Sequence, residues 1–253
     1  MRLNYIKHGK NNSSALVFIH GVGSNSSAWQ EIIDNLPKNN QILTYDLRGH
    51  GASPKRPLPN SIDDFIDDHV RLLKSVGIES ADLVGFSLGG LIAQGVALKY
   101  PALVNKLVLI GAPAGRTIEE QKRALKRFGL LQSKGPEEVA RVSVERWYNL
   151  SFLKQHPDIY HKTVDRMKSN DKESYIASYR VLVTTDFSTD LHRIKSPTLA
   201  ITGEYDVGSP PRMAELIASS VANGRSIIVP GVKHGLLVEQ PMLIAGLLDD
   251  FLF

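Results

Sequence analysis

The chain predicts an α/β fold: a mostly parallel central sheet flanked by helices, with a helical segment inserted late in the order. Three observations carry this. Short apolar runs alternate with helical patterns from Leu16 to Ala112. The alternation stops over residues 115–185, which are charged, helical in period and poor in strand signals, and it resumes from Pro197. Alternating strands and helices need crossover connections, and these produce parallel sheets covered on both faces. The division assigns residues 1–114 and 186–253 to the core and residues 115–185 to a helical cap (lid) that walls off a pocket and selects its contents.

Each element follows from local pattern. Ala15-Leu16-Val17-Phe18-Ile19 is an apolar strand that runs into the loop His20-Gly21-Val22-Gly23-Ser24, and Tyr45-Asp46 ends the next strand. Ala81-Asp82-Leu83-Val84-Gly85-Phe86 is a further buried strand. Residues 91–100 are apolar, alanine-rich and stopped by Pro101, which predicts a helix. In the insertion, residues 116–131, 135–150, 158–167 and 172–183 predict four helices, with Pro136 in a first-turn position. The insertion is expected after the sixth strand of the fold. Thr198-Leu199-Ala200-Ile201-Thr202-Gly203 then runs into Glu204-Tyr205-Asp206, and residues 225–231 run into Val232-Lys233-His234-Gly235.

Bulk properties narrow the function. A chain of 253 residues can bury a substantial core as one large domain, or as a core with an insertion. There is no run of eighteen apolar residues, and Met1 to His8 lacks a signal-peptide apolar stretch, so no membrane association is expected and the cytoplasm is the expected compartment. With no cysteine, disulfides, thiol nucleophiles and thiolate metal sites are excluded. Residues 115–185 hold 14 Lys+Arg against 9 Asp+Glu, so the rest of the chain's 30 and 26 leaves 16 against 17. The basic excess lies entirely in the insertion. It suits an anionic substrate, although Lys122, Arg123, Lys126 and Arg127 read by default as a solvated helix face. No recognition motif accompanies the charge, which argues against nucleic acid. Arg146 and Trp147 are the candidate pocket residues.

The chemistry centres on Gly85-Phe86-Ser87-Leu88-Gly89-Gly90, where a serine sits between glycines at a strand-to-helix switch. Such a junction strains the serine backbone and presents its hydroxyl above the sheet, with a helix N-terminus behind it. A serine hydroxyl needs a base, and the base needs an orienting acid. In an elbow of this kind the chain order is serine, acid, histidine, each at a strand's C-terminal end. Of the eight histidines, only His234 follows both Ser87 and the candidate acid Asp206. Glu204 lies nearer the strand and reads as structural, and Asp186 and Asp190 precede the strand. The oxyanion hole needs two backbone N–H donors, assigned to Leu88 and Val22. His20 reads as structural. No metal or organic cofactor is required.

A dinucleotide-binding reading of Gly21-Val22-Gly23-Ser24-Asn25-Ser26 fails, because its third glycine position is Ser26 and no Tyr-x-x-x-Lys pair occurs. The motifs His20-Gly21-Val22-Gly23, Asp46-Leu47-Arg48-Gly49-His50-Gly51-Ala52-Ser53, Gly85-Phe86-Ser87-Leu88-Gly89-Gly90, Gly203-Glu204-Tyr205-Asp206 and Gly231-Val232-Lys233-His234 together resemble the α/β-hydrolase superfamily over nearly the whole chain. That resemblance implies that Asp46, Arg48 and His50 shape a loop beside the site. Glu145-Arg146-Trp147-Tyr148, Tyr179, Asp186-Phe187, Leu191, Ile194 and Pro197-Thr198-Leu199 resemble 3-oxoadipate enol-lactonases in particular, which implies hydrolysis of a small carboxylated enol-lactone. A general carboxylesterase, a C–C bond hydrolase and a ligand-binding receptor on a hydrolase scaffold stay open as alternatives. A haloalkane dehalogenase is excluded by a serine at position 87.

Overall fold

The computed structural model describes residues 1–9, 15–37 and 40–253. In chain order its elements are β1 (Tyr5–His8), β2 (Ala15–Ile19), α1 (Gln30–Asp34), β3 (Ile42–Tyr45), α2 (Ile62–Ser75), β4 (Ala81–Phe86), α3 (Leu88–Lys99) and β5 (Val104–Ile110). Five helices follow: α4 (Ile118–Lys134), α5 (Pro136–Trp147), α6 (Leu150–Gln155), α7 (Pro157–Lys168) and α8 (Lys172–Thr184). The chain then returns through β6 (Thr198–Gly203), α9 (Pro211–Ser220), β7 (Gly224–Val229), α10 (Leu236–Glu239) and α11 (Pro241–Leu252).

The seven strands form one sheet in the order β1-β3-β2-β4-β5-β6-β7. Among the described residues, only β1 against β3 is antiparallel. β2 through β5 are almost wholly buried, as expected where helices cover both faces. One face packs on α2, α3 and the inserted helices; the other packs on α1 and α11. From β2 the chain steps outward to β3 and then returns across β2 to β4, so the order reverses between β2 and β4. In open α/β sheets the crevice at such a reversal, beyond the strands' carboxyl ends, is where ligands bind.

α3 is buried along nearly its whole length, which agrees with its apolar composition on every side. It starts at Leu88 rather than near residue 91, because Gly89 and Gly90 enter the helix where close packing demands them. A methyl on Gly89 would lie 2.0 Å from the Ile19 carbonyl oxygen, and one on Gly85 would lie 2.3 Å from the Gly89 carbonyl oxygen. These absent side chains let β2, β4 and α3 meet.

The inserted helices begin where the charged sequence begins, and the local chemistry explains their starts. Thr117 and Glu120 form a reciprocal capping box on α4, and the Asp171 side chain accepts from the Ser174 N–H to cap α8. Pro136 and Pro157 occupy first-turn positions of α5 and α7. One expectation needs correction. The insertion follows β5, the fifth strand among the described residues, and it holds five helices rather than four. Residues 148–149 break what read as one helix over 135–150: Tyr148 and Asn149 are extended, and Asn149 spends its amide on Glu239 and the Gly231 carbonyl. Among the described residues, no helix is long and apolar enough to cross a membrane.

Candidate active site

Four loops leave β2, β4, β6 and β7 at the same edge of the sheet, because these strands are parallel. They carry Val22, Ser87, Asp206 and His234. Ser87 is the one non-glycine residue with positive φ among the described residues, at φ 54° and ψ −112°. That strain is held by the Ser87 N–H donating to the Ile110 carbonyl at 2.9 Å, and by the Ser87 carbonyl accepting from Gly90 and Leu91 in the first turn of α3. Leu88 is the first residue of α3, so its N–H has no preceding helical carbonyl to meet. Gly21 brings the β2 loop against the serine: a methyl there would lie 3.3 Å from Ser87 Cβ.

His234 Nδ1 lies 2.6 Å from Asp206 Oδ2. The other oxygen, Oδ1, accepts from the Gly208 N–H at 2.7 Å and the Ser209 N–H at 3.0 Å. Burial pushes the Asp206 carboxyl up, but His234 and the two backbone donors outweigh it and hold the carboxyl below its ordinary value. An ionised Asp206 makes Nδ1 the protonated nitrogen and leaves Nε2 as a lone-pair base. The His234 ring packs against Phe86, with centroids 4.9 Å apart, and the Trp147 ring centroid stands 6.2 Å away. Ser87, His234, Gly21 and Val22 line one cavity together with Arg146 and Trp147.

The remaining polar residues of the sequence motifs hold loops. His20 is fully buried between the Gly21 carbonyl, 2.8 Å from Nδ1, and the Leu47 N–H, which donates to Nε2 at 2.9 Å. Burial lowers its pKa to about 4, against smaller upward pulls from the Gly21 carbonyl and Asp46. Asp46 accepts from the Ser26 and Ala52 N–H groups and from the Asn4 amide. Arg48 is spent on Asp68 and Asp64, and His50 is buried with Nδ1 at 3.0 Å from the Arg48 carbonyl. Glu204 is exposed and accepts from the Gly231 N–H, tying together the two loops that carry Asp206 and His234. Asp186 accepts from Gly115 and Arg116 at the base of the insertion, and Asp190 pairs with Arg193.

The structure departs from sequence reading at the charged face of α4. Lys122, Arg123 and Lys126 are exposed, but Arg127 turns inward and lines the cavity. Arg116 and Arg166, not singled out from the sequence, line it too. The signal for Arg127 was present: it lies three residues after Ala124 and four before Leu131, the two buried positions of α4. Arg166 likewise follows Thr163 by three on the buried side of α7. Among the described residues, no cluster of His, Cys, Asp or Glu could hold a metal ion.

The fold matches a known family. The alpha/beta hydrolase fold model matches residues 14–241, and the chain belongs to that family. Its curated relatives are named hydrolases, and the chain is an α/β-hydrolase enzyme. One of them, the 3-oxoadipate enol-lactonase 2 of Acinetobacter baylyi, is 29% identical over 239 residues, covering 94% of this chain and 88% of that protein. Another from the same organism, (E)-2-((N-methylformamido)methylene)succinate hydrolase, is 25% identical over 241 residues, covering 94% and 89%. Among solved structures, a hydrolase from Pseudomonas aeruginosa superposes with a TM-score of 0.90 at 27% identity, covering 98% of this chain and 93% of that one. The enol-lactonase from Burkholderia xenovorans gives a TM-score of 0.90 at 24% identity, covering 99% and 96%, and is a likeness of fold.

Proposed function

We propose that the protein is a serine hydrolase that cleaves a small ester or lactone, with a carboxylated enol-lactone as the favoured substrate class, and that Ser87, His234 and Asp206 act as its triad beneath a helical cap of residues 115–185. The observation that carries this reading is the strained Ser87 elbow sharing one cavity with a His234 whose Nδ1 is held 2.6 Å from a buried Asp206 carboxylate. His234 Nε2 takes the hydroxyl proton as Ser87 Oγ attacks the carbonyl carbon. The resulting oxyanion is held by the Val22 and Leu88 N–H groups. The carbon–oxygen bond to the leaving group breaks, and His234 returns its proton to the leaving oxygen. From an enol-lactone this gives an enol that relaxes to a ketone. Water then attacks the acyl-enzyme, passes a proton to His234, and Ser87 recovers its proton as the acid departs. Asp206 stabilises the imidazolium in each half.

The lactone preference rests on the likeness to enol-lactonases and on the cavity's arginines. Steady-state hydrolysis of short p-nitrophenyl esters, neutral lactones and 3-oxoadipate enol-lactone tests it. Preference for the enol-lactone, lost in Ser87→Ala, is expected; equal turnover in that variant would sink the triad, and preference for neutral esters would leave a general carboxylesterase.

A further inference from the structure

Among the described residues, the cavity above Ser87 is lined by four arginines, Arg116, Arg127, Arg146 and Arg166, and by no aspartate or glutamate. Arg116 is spent on protein: its guanidinium donates to the Thr185 carbonyl at 3.1 Å and the Leu182 carbonyl at 3.0 Å. The other three have no carboxylate or carbonyl partner among the described residues, and the Nε atom of each is buried and unmatched. Trp147 Nε1, in the same cavity, is unmatched as well. Arginine and tryptophan side chains donate and never accept. Such a wall is complementary to a molecule that is rich in acceptors and negatively charged. The guanidinium charges also repel each other, since the Arg127 charge is felt at both Arg116 and Arg146.

The three free guanidinium groups stand at two poles. Arg146 lies on the Asp206 side: a methyl built on Gly208 would lie 3.3 Å from an Arg146 terminal nitrogen and 3.3 Å from Asp206 Oδ1. Arg127 accompanies it, and both also face a second, outer cavity beside Tyr205. Arg166 lies on the oxyanion-loop side. The Asn170 side-chain amide, which donates to the Arg166 carbonyl at 2.9 Å, also donates to the Gly23 carbonyl of that loop at 3.3 Å. Ser87 and His234 line the same cavity as all three. One carboxylate can engage one guanidinium fork in a bidentate pair, so a monocarboxylate leaves the opposite pole uncompensated. A phosphate places its charges together and does the same.

We infer that the substrate carries two separated carboxylates, one on each side of the scissile carbonyl, read by Arg146 with Arg127 at one pole and by Arg166 at the other. This rests on the proposed ester or lactone hydrolysis and specifies its substrate as a dicarboxylated ester or lactone. Arg127 and Arg166 become specificity residues, and the outer cavity becomes the approach by which an anion first meets Arg127 and Arg146.

A matched ester series tests this. It holds p-nitrophenyl acetate (neutral), mono-p-nitrophenyl succinate (acyl-side carboxylate), the acetate of 5-hydroxy-2-nitrobenzoate (leaving-side carboxylate) and the succinate monoester of 5-hydroxy-2-nitrobenzoate (both). The two monoanions separate charge from leaving-group reactivity. In wild type, kcat/KM for the dianion should exceed that for either monoanion at least tenfold, and glutarate should inhibit at least tenfold more tightly than butyrate or inorganic phosphate. Arg146→Gln and Arg166→Gln should each erase the gain from a different carboxylate. A dianion no better than the better monoanion overturns the inference, as does loss of the same carboxylate's gain in both variants. The wild-type series decides alone if a variant fails to fold. Absence of any Ser87-dependent hydrolysis across the series would instead overturn the serine-hydrolase reading.

Discussion

Replacing Asp206 with asparagine isolates the part of the site that depends on a single proton. The Gly208 and Ser209 N–H groups point at Oδ1 from 2.7 and 3.0 Å. An asparagine at this position must offer them its carbonyl oxygen, because its NH2 would face two donors. The NH2 then occupies the Oδ2 position, 2.6 Å from His234 Nδ1 in the parent. Nδ1 is thereby made an acceptor, and the imidazole proton moves to Nε2, where it can no longer take the serine proton. Loss of the base through the wrong tautomer costs about 10⁴ in kcat in serine triads, or about 5 kcal/mol of transition-state stabilisation. The volume is unchanged and both backbone donors stay matched, so stability should shift little. Asp206→Asn should therefore lower kcat on a p-nitrophenyl ester about 10⁴-fold, with KM and Tm near their wild-type values. Activity within tenfold of wild type would refute this reasoning, since Asp206 would then not govern the tautomer.

Three further predictions concern the frame. Gly89→Ala should be severely destabilising, since its methyl meets the Ile19 carbonyl oxygen at 2.0 Å and backbone cannot yield cheaply; a loss of about 3 kcal/mol or more corresponds to a Tm drop of about 10 °C. Gly129→Ala should do the reverse: it is exposed within α4 and an added methyl meets nothing within 4 Å, so thermal melting should show a gain of about 1 kcal/mol from helix propensity. The third is acid sensitivity. Burial lowers His20, His50 and His69 to about 4, 3 and 4, below their ordinary 6.5. Between those values the unfolded chain binds more protons, so stability is full above about pH 6.5 and falls as pH drops toward 4. For His20 alone the shift is worth about 3 kcal/mol. A Tm flat from pH 7 to 4.5 would contradict this.

How much of this was legible in the sequence varied with the kind of interaction involved. Strands β2, β4 and β6 begin and end where apolar runs meet turn residues, and β6 carries Asp206 directly into its loop, so motif and element coincide. Chain order, together with its place in the loop after an apolar strand, singles out His234 as the candidate base. The corrections arise where tertiary contact overrides local pattern. The helix read over 135–150 stops at Trp147 because Asn149 turns away to bind Glu239 and the β7 loop, a partner 90 residues distant. The charge run groups Arg127 with its exposed neighbours, although the buried spacing of Ala124 and Leu131 places it on their face. Composition showed that the insertion is basic; only packing showed that three of its arginines face the cavity without partners.

Covalent trapping tests the role of Ser87 most directly. Wild-type protein treated with an alkyl fluorophosphonate should gain the mass of one adduct, located on the peptide that contains Ser87, with loss of esterase activity in step with labelling. Ser87→Ala should gain none and hydrolyse no ester above background while melting near the wild-type temperature. Labelling at another residue, or stoichiometric hydrolysis surviving in Ser87→Ala, would contradict a serine nucleophile at the β4–α3 elbow.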